Sequence, residues 1–268
     1  MNYTEKLVTE ESLKDDVLCY WQMRGEIDEN VGINSRYLPK GQNLLIFNYG
    51  SDIEYMDATK FKYLNPKVIV VPAFATSRII NQKGKIDLFG ISFIGDGLYK
   101  LLGQPMAKIV NNFPDNLKQK SENLHTDLDG LDFPQKTAIA EKFLTDNINQ
   151  NLNSPPLKQA IKAIHQAKGK ITIGDIAKKV YVSERQLQRL FKTRIGISPK
   201  VYCKIIRVNN YIDLLLSKDE TVDWMELVVE YDYHDQSHLI NEVKSIAKLS
   251  PKKLQSYMDT LYHRYINE

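Results

Sequence analysis

Histidine and cysteine are scarce in this chain of 268 residues, and their scarcity excludes several classes of site. The only two cysteines, Cys19 and Cys203, lie in different halves, so we expect no structural disulfide and a cytoplasmic protein. None of the five histidines lies within the first 124 residues. Because catalytic metal barrels and serine or cysteine triads both need histidine, neither is expected there. Hydrolysis by a carboxylate pair stays open, since 20 acidic residues lie between residues 1 and 156.

Long hydrophobic runs are also absent. No apolar run approaches the roughly 20 residues that a membrane span needs, and the N-terminus lacks the layout of a signal peptide. The net charge of +3 conceals one basic segment. Residues 157–207 contain 13 lysines and arginines against 2 acidic residues, whereas residues 208–268 contain 6 against 11. Such a segment is typical of proteins that neutralise nucleic-acid phosphates.

A short pattern occurs twice in the C-terminal half, at an offset of 52 positions. Each copy begins with a helix-capping residue, continues with leucine four positions later and lysine nine positions later, and ends in Ser-Pro. The first copy spans residues 183–199 and the second spans residues 235–251. Two similar helical units in tandem suit a long, repetitive ligand, of which double-stranded DNA is the obvious example.

The first copy predicts a helix-turn-helix. Ser183 with Gln186 three residues later forms a capping box, which marks a helix start. An amphipathic helix over 173–180 precedes it across a two-residue turn. One face of the second helix is apolar: Leu187, Leu190 and Phe191. The opposite face carries donors and positive charge: Arg185, Gln188, Arg189 and Lys192. Arginine and glutamine bond the edges of guanine and adenine, at ~1–3 kcal/mol of discrimination for each good pair. The alternative, the solvated face of an ordinary surface helix, is disfavoured by the repeat and by the charge.

The second unit carries less charge. Ser198 and Pro199 predict the start of a connecting helix to about Leu216, which would fix the two units relative to each other. The recognition helices would then enter successive major grooves, about 34 Å apart. The outward face of the second helix consists of Ser237, Ile240, Asn241 and Lys244. This face has one positive charge, whereas the outward face of the first helix has three. We therefore expect the first unit to supply most of the affinity.

The N-terminal part predicts a small β-barrel or sandwich. Short apolar runs over residues 44–49, 68–72, 78–80 and 86–93 are separated by turn residues. Helices are expected from residue 98 to 102, from 135 to 149 and from 157 to 167. Tyr20 and Trp21 are predicted as buried strand residues rather than as the lining of a pocket.

Residues 173–257 resemble the double helix-turn-helix domain of the AraC/XylS transcription regulators. The matching positions include Ile176-Ala177, Leu187, Phe191-Lys192, Ser198-Pro199, Arg207 and Asp235-Gln236-Ser237-His238. The resemblance implies base reading by Arg185, Gln188 and Arg189 on the first helix, and by Gln236, Ser237, Ile240 and Asn241 on the second. Phosphate contacts are expected from Lys192, Lys200 and Lys244. The N-terminal part resembles the cupin-like sensor domain of one AraC subgroup, through Arg36-Tyr37-Leu38-Pro39, Leu45-Ile46-Phe47-Asn48 and Gly90-Ile91-Ser92-Phe93.

Several positions depart from the family pattern. Tyr181 and Asp232 occupy turns where the family usually has glycine, and tyrosine adopts left-handed backbone geometry less readily than aspartate. Asn241, Val243 and Lys248 replace the usual residues of the second unit. These changes keep an alternative open, in which the second unit no longer reads DNA and the chain acts as a protein-interaction module. An enzyme with an appended helix-turn-helix is the third reading, which turnover of a small molecule would favour.

Together these features predict an α+β chain, with a small cupin-like β-barrel flanked by helices followed by an all-α tandem helix-turn-helix domain. The expected ranges are 1–130 for the sensor or dimerisation domain, 131–168 for linking helices and 169–262 for the DNA-binding domain. The function expected is sequence-specific regulation of transcription, not catalysis, without a cofactor. His234 and His238 have the i, i+4 spacing of zinc ligands but no matching partner, so no metal site is expected. The resemblance, to a largely bacterial family, adds RNA polymerase, a small-molecule effector and a second copy of the chain as partners to test.

Overall fold

A computed structural model describes residues 1–57, 60–64, 67–109, 115–217 and 236–257. The chain is α+β, as predicted: antiparallel strands fill the N-terminal part and helices follow. Among the described residues, none of the helices combines the length and the apolar character that a membrane crossing requires.

The described residues of the N-terminal part form nine strands in two antiparallel sheets. The strands are β1 (Asn2–Leu7), β2 (Val17–Ile27), β3 (Ile33–Tyr37), β4 (Asn43–Asn48), β5 (Ile53–Asp57), β6 (Lys60–Leu64), β7 (Val68–Val71), β8 (Arg78–Gln82) and β9 (Gly84–Phe93). Sheet A has the order β1-β2-β9-β4-β7, and sheet B has the order β3-β8-β5-β6. The predicted N-terminal domain of short strands is confirmed, and these strands pair antiparallel. The expectation of a closed barrel is not confirmed, because the pairings of the described strands leave two separate sheets.

Sheet A separates two environments because side chains alternate along a strand. Leu45 and Phe47 of β4, with Phe89 and Ile91 of β9, are fully buried in a core shared with the helices that cover this face. Those helices are α1 (Gly97–Leu102), α2 (Asp115–Leu128) and α3 (Phe133–Asn147). The other face of sheet A faces sheet B, and a cavity lies between the two sheets.

The alternation also places the side chains of Tyr20 and Trp21 on opposite faces of sheet A. Tyr20 is fully buried on the helix-covered side, as predicted. Trp21 lines the cavity instead, which corrects the expectation that both are buried strand residues. Its ring lies against Gly90 on the neighbouring strand, where a Cβ would come within 2.1 Å of the ring. A glycine is therefore required at position 90 for Trp21 to take this position.

The C-terminal part is helical. Its helices are α4 (Pro155–Gln166), α5 (Ile173–Lys179), α6 (Glu184–Arg194), α7 (Pro199–Ser217) and α8 (Gln236–Ala247), followed by a helical segment over 251–257. One core joins α4, α5, α6, α7 and α8, and Leu187 and Phe191 at its centre are fully buried. Most of the predicted elements are present, with ends that differ from the predicted ones by no more than two residues. The predictions for the first helix of the second unit, including Asp232, His234 and the Asp235 cap, lie outside the described residues.

Candidate nucleic-acid interface

The first helix-turn-helix is formed by α5 and α6. Ile176 and Ala177 on α5 are buried in the shared core, and the Val182 amide donates to the Ala177 carbonyl at 3.0 Å to close the turn. Tyr181 adopts the left-handed conformation with a φ of 55°. The turn therefore keeps the backbone geometry for which glycine is best suited, although a side chain is present. That side chain is 94% exposed.

The N-terminus of α6 carries the predicted capping box. The Gln186 amide donates to Ser183 Oγ at 3.2 Å, and the Ser183 amide donates to Gln186 Oε1 at 2.9 Å. With Leu187 and Phe191 buried beneath the helix, the opposite face is presented to solvent. All four predicted side chains of that face are exposed: Arg185, Gln188, Arg189 and Lys192. Three positive charges and one amide thus form a single polar face, which we call the α6 face.

The second recognition helix, α8, has the same two-sided organisation with less charge. Leu239 and Val243 are fully buried, so Val243 fills the core position where the family usually has phenylalanine. Ile240 is half-buried, and the rest of the predicted contact residues are exposed: Gln236, Ser237, Asn241 and Lys244. Lys200, at the start of α7, is exposed too.

A buried ion pair ties α8 to the first unit. Arg207 on α7 donates from Nε to Glu242 Oε1 at 2.7 Å and from Nη2 to Glu242 Oε2 at 2.9 Å. The Arg207 Nη1 also donates to the Gly169 carbonyl, at 2.8 Å, in the turn between α4 and α5. The Glu242 side chain is 2% exposed. Arg207 on α7 therefore contacts both α8 and the turn that precedes the first helix-turn-helix through one guanidinium group.

Residues of the N-terminal domain contact the C-terminal end of α6. Arg194 Nη1 forms a 2.6 Å ion pair with Asp96, beside α1, and also donates to the Leu152 carbonyl. The guanidinium lies 4.7 Å from the centre of the Tyr99 ring. Burial raises the pKa of the Asp96 carboxyl, although Arg194 opposes this shift. Just beyond, Gly196 packs against Met106 and the Ala73 carbonyl. We call these contacts the α6 anchor.

A second set of contacts, made by residues of the N-terminal domain, holds the C-terminal end of α8. The Ser77 amide donates to the Ile246 carbonyl, and Ser77 Oγ donates to the Ala247 carbonyl, both at 2.7 Å. Arg36 Nη1 donates to Ser77 Oγ at 2.9 Å and to the Ala247 carbonyl at 3.4 Å. The Arg36 amide also bonds the hydroxyl of Tyr257. We call these contacts the α8 anchor. Each of the helices α6 and α8 is thus held at the end opposite to the one that carries its first predicted base-reading residues.

A cavity of about 610 Å³ lies between the two sheets and reaches both anchors. Its walls are mostly apolar and include Trp21, Ile46 and Ile80. Arg36 and Tyr257 of the α8 anchor line it, as do Met106 and Gly196 of the α6 anchor. A molecule bound in this cavity would therefore contact residues that hold both recognition helices.

The structure places the predicted DNA-contact residues on the exposed faces of α6 and α8 and at the start of α7; their contacts with bases and phosphates stay a prediction. No cluster of three or more metal-ligating side chains occurs in the part of the chain that the structure describes. Sequence reasoning missed both anchors. Ser77 and Asp96 lie in short connections between elements, and their partners are distant in sequence, so no local pattern marks them.

Comparison with known proteins assigns both parts of the chain. Residues 176–257 match a helix-turn-helix domain family (HTH_18), and residues 6–115 match a domain of unknown function (DUF6597). No curated protein matches the chain. The molecule is a DNA-binding transcription regulator of the helix-turn-helix class. More specifically, its C-terminal domain is an AraC-type helix-turn-helix domain, and a DUF6597 domain precedes it, which confirms the family resemblance.

Solved structures to which the chain is similar include ToxT from Vibrio cholerae, at 8% identity and a TM-score of 0.47 over 96% of this chain and 99% of that one. An AraC-type regulator from Chromobacterium violaceum is 24% identical over 38% of this chain and 90% of its own, with a TM-score of 0.34. A cupin superfamily protein from Desulfitobacterium hafniense is 19% identical over 35% of this chain and 78% of its own, with a TM-score of 0.25.

Proposed function

We propose that the protein regulates transcription by inserting α6 and α8 into successive major grooves of a specific DNA site. The observation that carries this proposal is the α6 face, where four polar side chains are exposed on a helix whose other side buries Leu187 and Phe191. On this proposal Arg185, Gln188 and Arg189 read bases in the first groove. Gln236, Ser237 and Asn241 read bases in the second, and Ile240 contacts a thymine methyl group.

The two units contribute unequally in this proposal. The basic segment over 157–207 neutralises most of the phosphates, so the first unit supplies most of the affinity. Lys192, Lys200 and Lys244 are the proposed phosphate contacts. Removal of the Lys244 charge should therefore weaken binding less than loss of Arg189. An equal loss for both variants would contradict this division.

We also propose where the domains meet. Helix α3 packs on sheet A through Ala140 and Leu144, which are fully buried in the N-terminal core. Helix α4 contributes Leu157 and Ile164 to the core of the DNA-binding part instead. The predicted linking helices of 131–168 would then be divided, with α3 moving with the N-terminal domain of 1–130 and α4 moving with the DNA-binding domain of 169–262.

The N-terminal domain would modulate DNA binding through the two anchors. A recognition helix can be repositioned only if the residues that hold it move, and both anchors belong partly to the N-terminal domain. The cavity between the sheets is the candidate site for a small-molecule effector, because it is concave, largely apolar and in contact with both anchors. RNA polymerase and a second copy of the chain are further proposed partners, and the cytoplasm is the proposed compartment.

The proposal is tested by selecting bound duplexes from a random DNA pool with the full chain at near-physiological salt. We expect an enriched motif with two blocks about one helical turn apart. One block would assign the second unit to protein contacts, which is the interaction-module alternative. Failure to enrich any motif at any salt concentration would overturn the proposal.

A base-reading role for Arg189 makes a separate prediction. The variant Arg189→Ala should lose ~1–3 kcal/mol of binding free energy and relax one base position of the motif. Lys142→Ala is the matched control, because Lys142 is an exposed cation on α3, away from both recognition helices. Uniform weakening across all sequences would instead make Arg189 a backbone contact.

A further inference from the structure

The cavity between the sheets combines apolar walls with two arginines. Arg36 and Arg78 line it, and none of the lining residues that the structure describes is acidic. The Arg78 guanidinium stacks 4.4 Å from the centre of the Phe74 ring, which orients it. Planar guanidinium groups bind carboxylates and sulfonates through paired N–H donors. The cavity therefore favours a ligand that carries a negative charge as well as an apolar body.

The size and the walls of the cavity narrow the class of ligand further. A cavity of about 150 Å³ accommodates one benzene molecule, so one of about 610 Å³ has room for roughly 20 non-hydrogen atoms. Aromatic rings of Tyr3, Trp21 and Tyr37 form part of the lining. Aromatic side chains pack well against the face or edge of another ring. A body of two or three fused or linked rings fits these walls.

We propose that the cavity binds a small aromatic molecule with a single anionic group, and that this group is held by Arg36 and Arg78. The proposal deepens the proposed function, since it names the effector class for the cavity and the path by which that effector acts. Arg36 would transmit the effect of the ligand to α8, because this side chain lines the cavity and also belongs to the α8 anchor.

The geometry of Arg36 gives the direction of the effect. Its guanidinium lies at the C-terminal end of α8, where a positive charge stabilises a helix. The Ala247 carbonyl also accepts a shorter bond, 2.7 Å, from Ser77 Oγ, so Arg36 can turn toward a ligand without leaving this carbonyl unsatisfied. A bound anion would neutralise Arg36 and weaken the hold of the N-terminal domain on α8. Ligand binding should therefore weaken the contacts of the second recognition helix and spare those of the first.

Ligand binding is tested with two fluorescent probes of matched shape on the full chain. The probe 1-anilinonaphthalene-8-sulfonate carries one sulfonate, and N-phenyl-1-naphthylamine lacks it. Replacement of one charge-assisted contact by Arg78→Gln should lower the affinity for the sulfonate probe about tenfold or more and leave that for the neutral probe unchanged. Ile46→Trp, which fills the cavity, should abolish binding of both probes. Equal binding of the sulfonate probe by the wild type and Arg78→Gln would overturn the proposal.

The effect on DNA is measured with duplexes that contain one or both selected blocks. A saturating concentration of the sulfonate probe should lower affinity for the two-block duplex about fivefold and leave the first-block duplex unaffected. The Arg78→Gln variant should lose this response at the same probe concentration. A probe effect that persists in Arg78→Gln would place the sulfonate on the DNA-binding face and overturn the proposed path. DNA binding without the probe tests the proposed function separately, so the two failures are distinguishable.

Discussion

The ion pair between Arg207 and Glu242 should dominate the coupling between the two helix-turn-helix units. Removing one partner of a buried pair leaves an uncompensated charge, at a cost of ~3–5 kcal/mol. The Glu242 side chain is 2% exposed but takes part in a further interaction, so its carboxylate would not be left wholly without a contact. We therefore expect Arg207→Met to destabilise the second unit by about 3 kcal/mol, at the lower end of that range.

The double variant Arg207→Met, Glu242→Leu provides the sharper test. It replaces both charges with apolar side chains of similar volume, and such replacements are often close to neutral. We expect the double variant to lie within about 1 kcal/mol of the wild type, so that it is more stable than either single variant. Arg189→Met is the control, since it removes an exposed cation from α6 and should leave stability unchanged.

Unfolding can be followed selectively in the second half of the chain. The sequence has two tryptophans, Trp21 and Trp224, and Trp21→Phe leaves only the one between residues 208 and 268. Urea unfolding monitored by tryptophan fluorescence in this background gives the free energy of each variant. A cost below about 1 kcal/mol for Arg207→Met, or a double variant as unstable as the sum of both single variants, would refute the reasoning.

Three further predictions concern local features of the fold. Tyr181→Gly should raise the free energy of unfolding by about 0.5–1 kcal/mol, because relief of the left-handed strain exceeds the entropy cost of glycine. Lys136→Met should stabilise the protein near pH 7, because burial lowers the pKa of this lysine and so makes its charged form costly in the fold. This gain should shrink as the pH rises toward 10.5, the ordinary lysine pKa. Burial raises the pKa of the Cys203 thiol to about 11, so iodoacetamide should label it slowly at pH 7.5 until the protein unfolds.

Each of these predictions has a clear contrary result. A less stable Tyr181→Gly would mean that the exposed ring makes a stabilising contact. A stability gain of Lys136→Met that stays constant between pH 7 and 10 would exclude the desolvation argument, and Lys142→Met on the same helix should show no gain at either pH. Labelling of Cys203 in the folded protein, detected by mass spectrometry of the peptides, would show that the α7 core opens readily.

The recognition elements could be predicted because their signals are local. Ser183 and Gln186 are three residues apart, and the apolar side chains of α6 recur with the helical period, so neighbouring residues alone define the start and the buried face. Strands β4 and β9 were equally clear, since continuous apolar runs mark strands that are covered on both faces. The left-handed conformation of Tyr181 was not predicted, because the family pattern has glycine at this turn and tyrosine itself gives no signal for this geometry.

The remaining elements lack such signals. Every residue of β1 is exposed, so that strand has no apolar alternation to identify it. Polar residues such as Gln22 and Arg24 interrupt β2, which is stabilised by pairing with β9 rather than by its own pattern. The anchors consist of contacts between residues far apart in the chain, such as Ser77 with Ala247, which only the folded topology brings together.

The α6 and α8 anchors link the N-terminal domain to the spacing between the two proposed recognition helices. Because Asp96 and Ser77 hold the C-terminal ends of the two proposed recognition helices, the distance between the N-terminal ends of these helices depends partly on the N-terminal domain, beside the ion pair of Arg207 with Glu242. Substitutions in the connections that carry these two residues should therefore change which spacing between the two blocks is preferred, while the sequence of each block stays the same. Divergence of operator architecture among related regulators would then proceed through loops of the N-terminal domain, with the predicted base-reading side chains left intact.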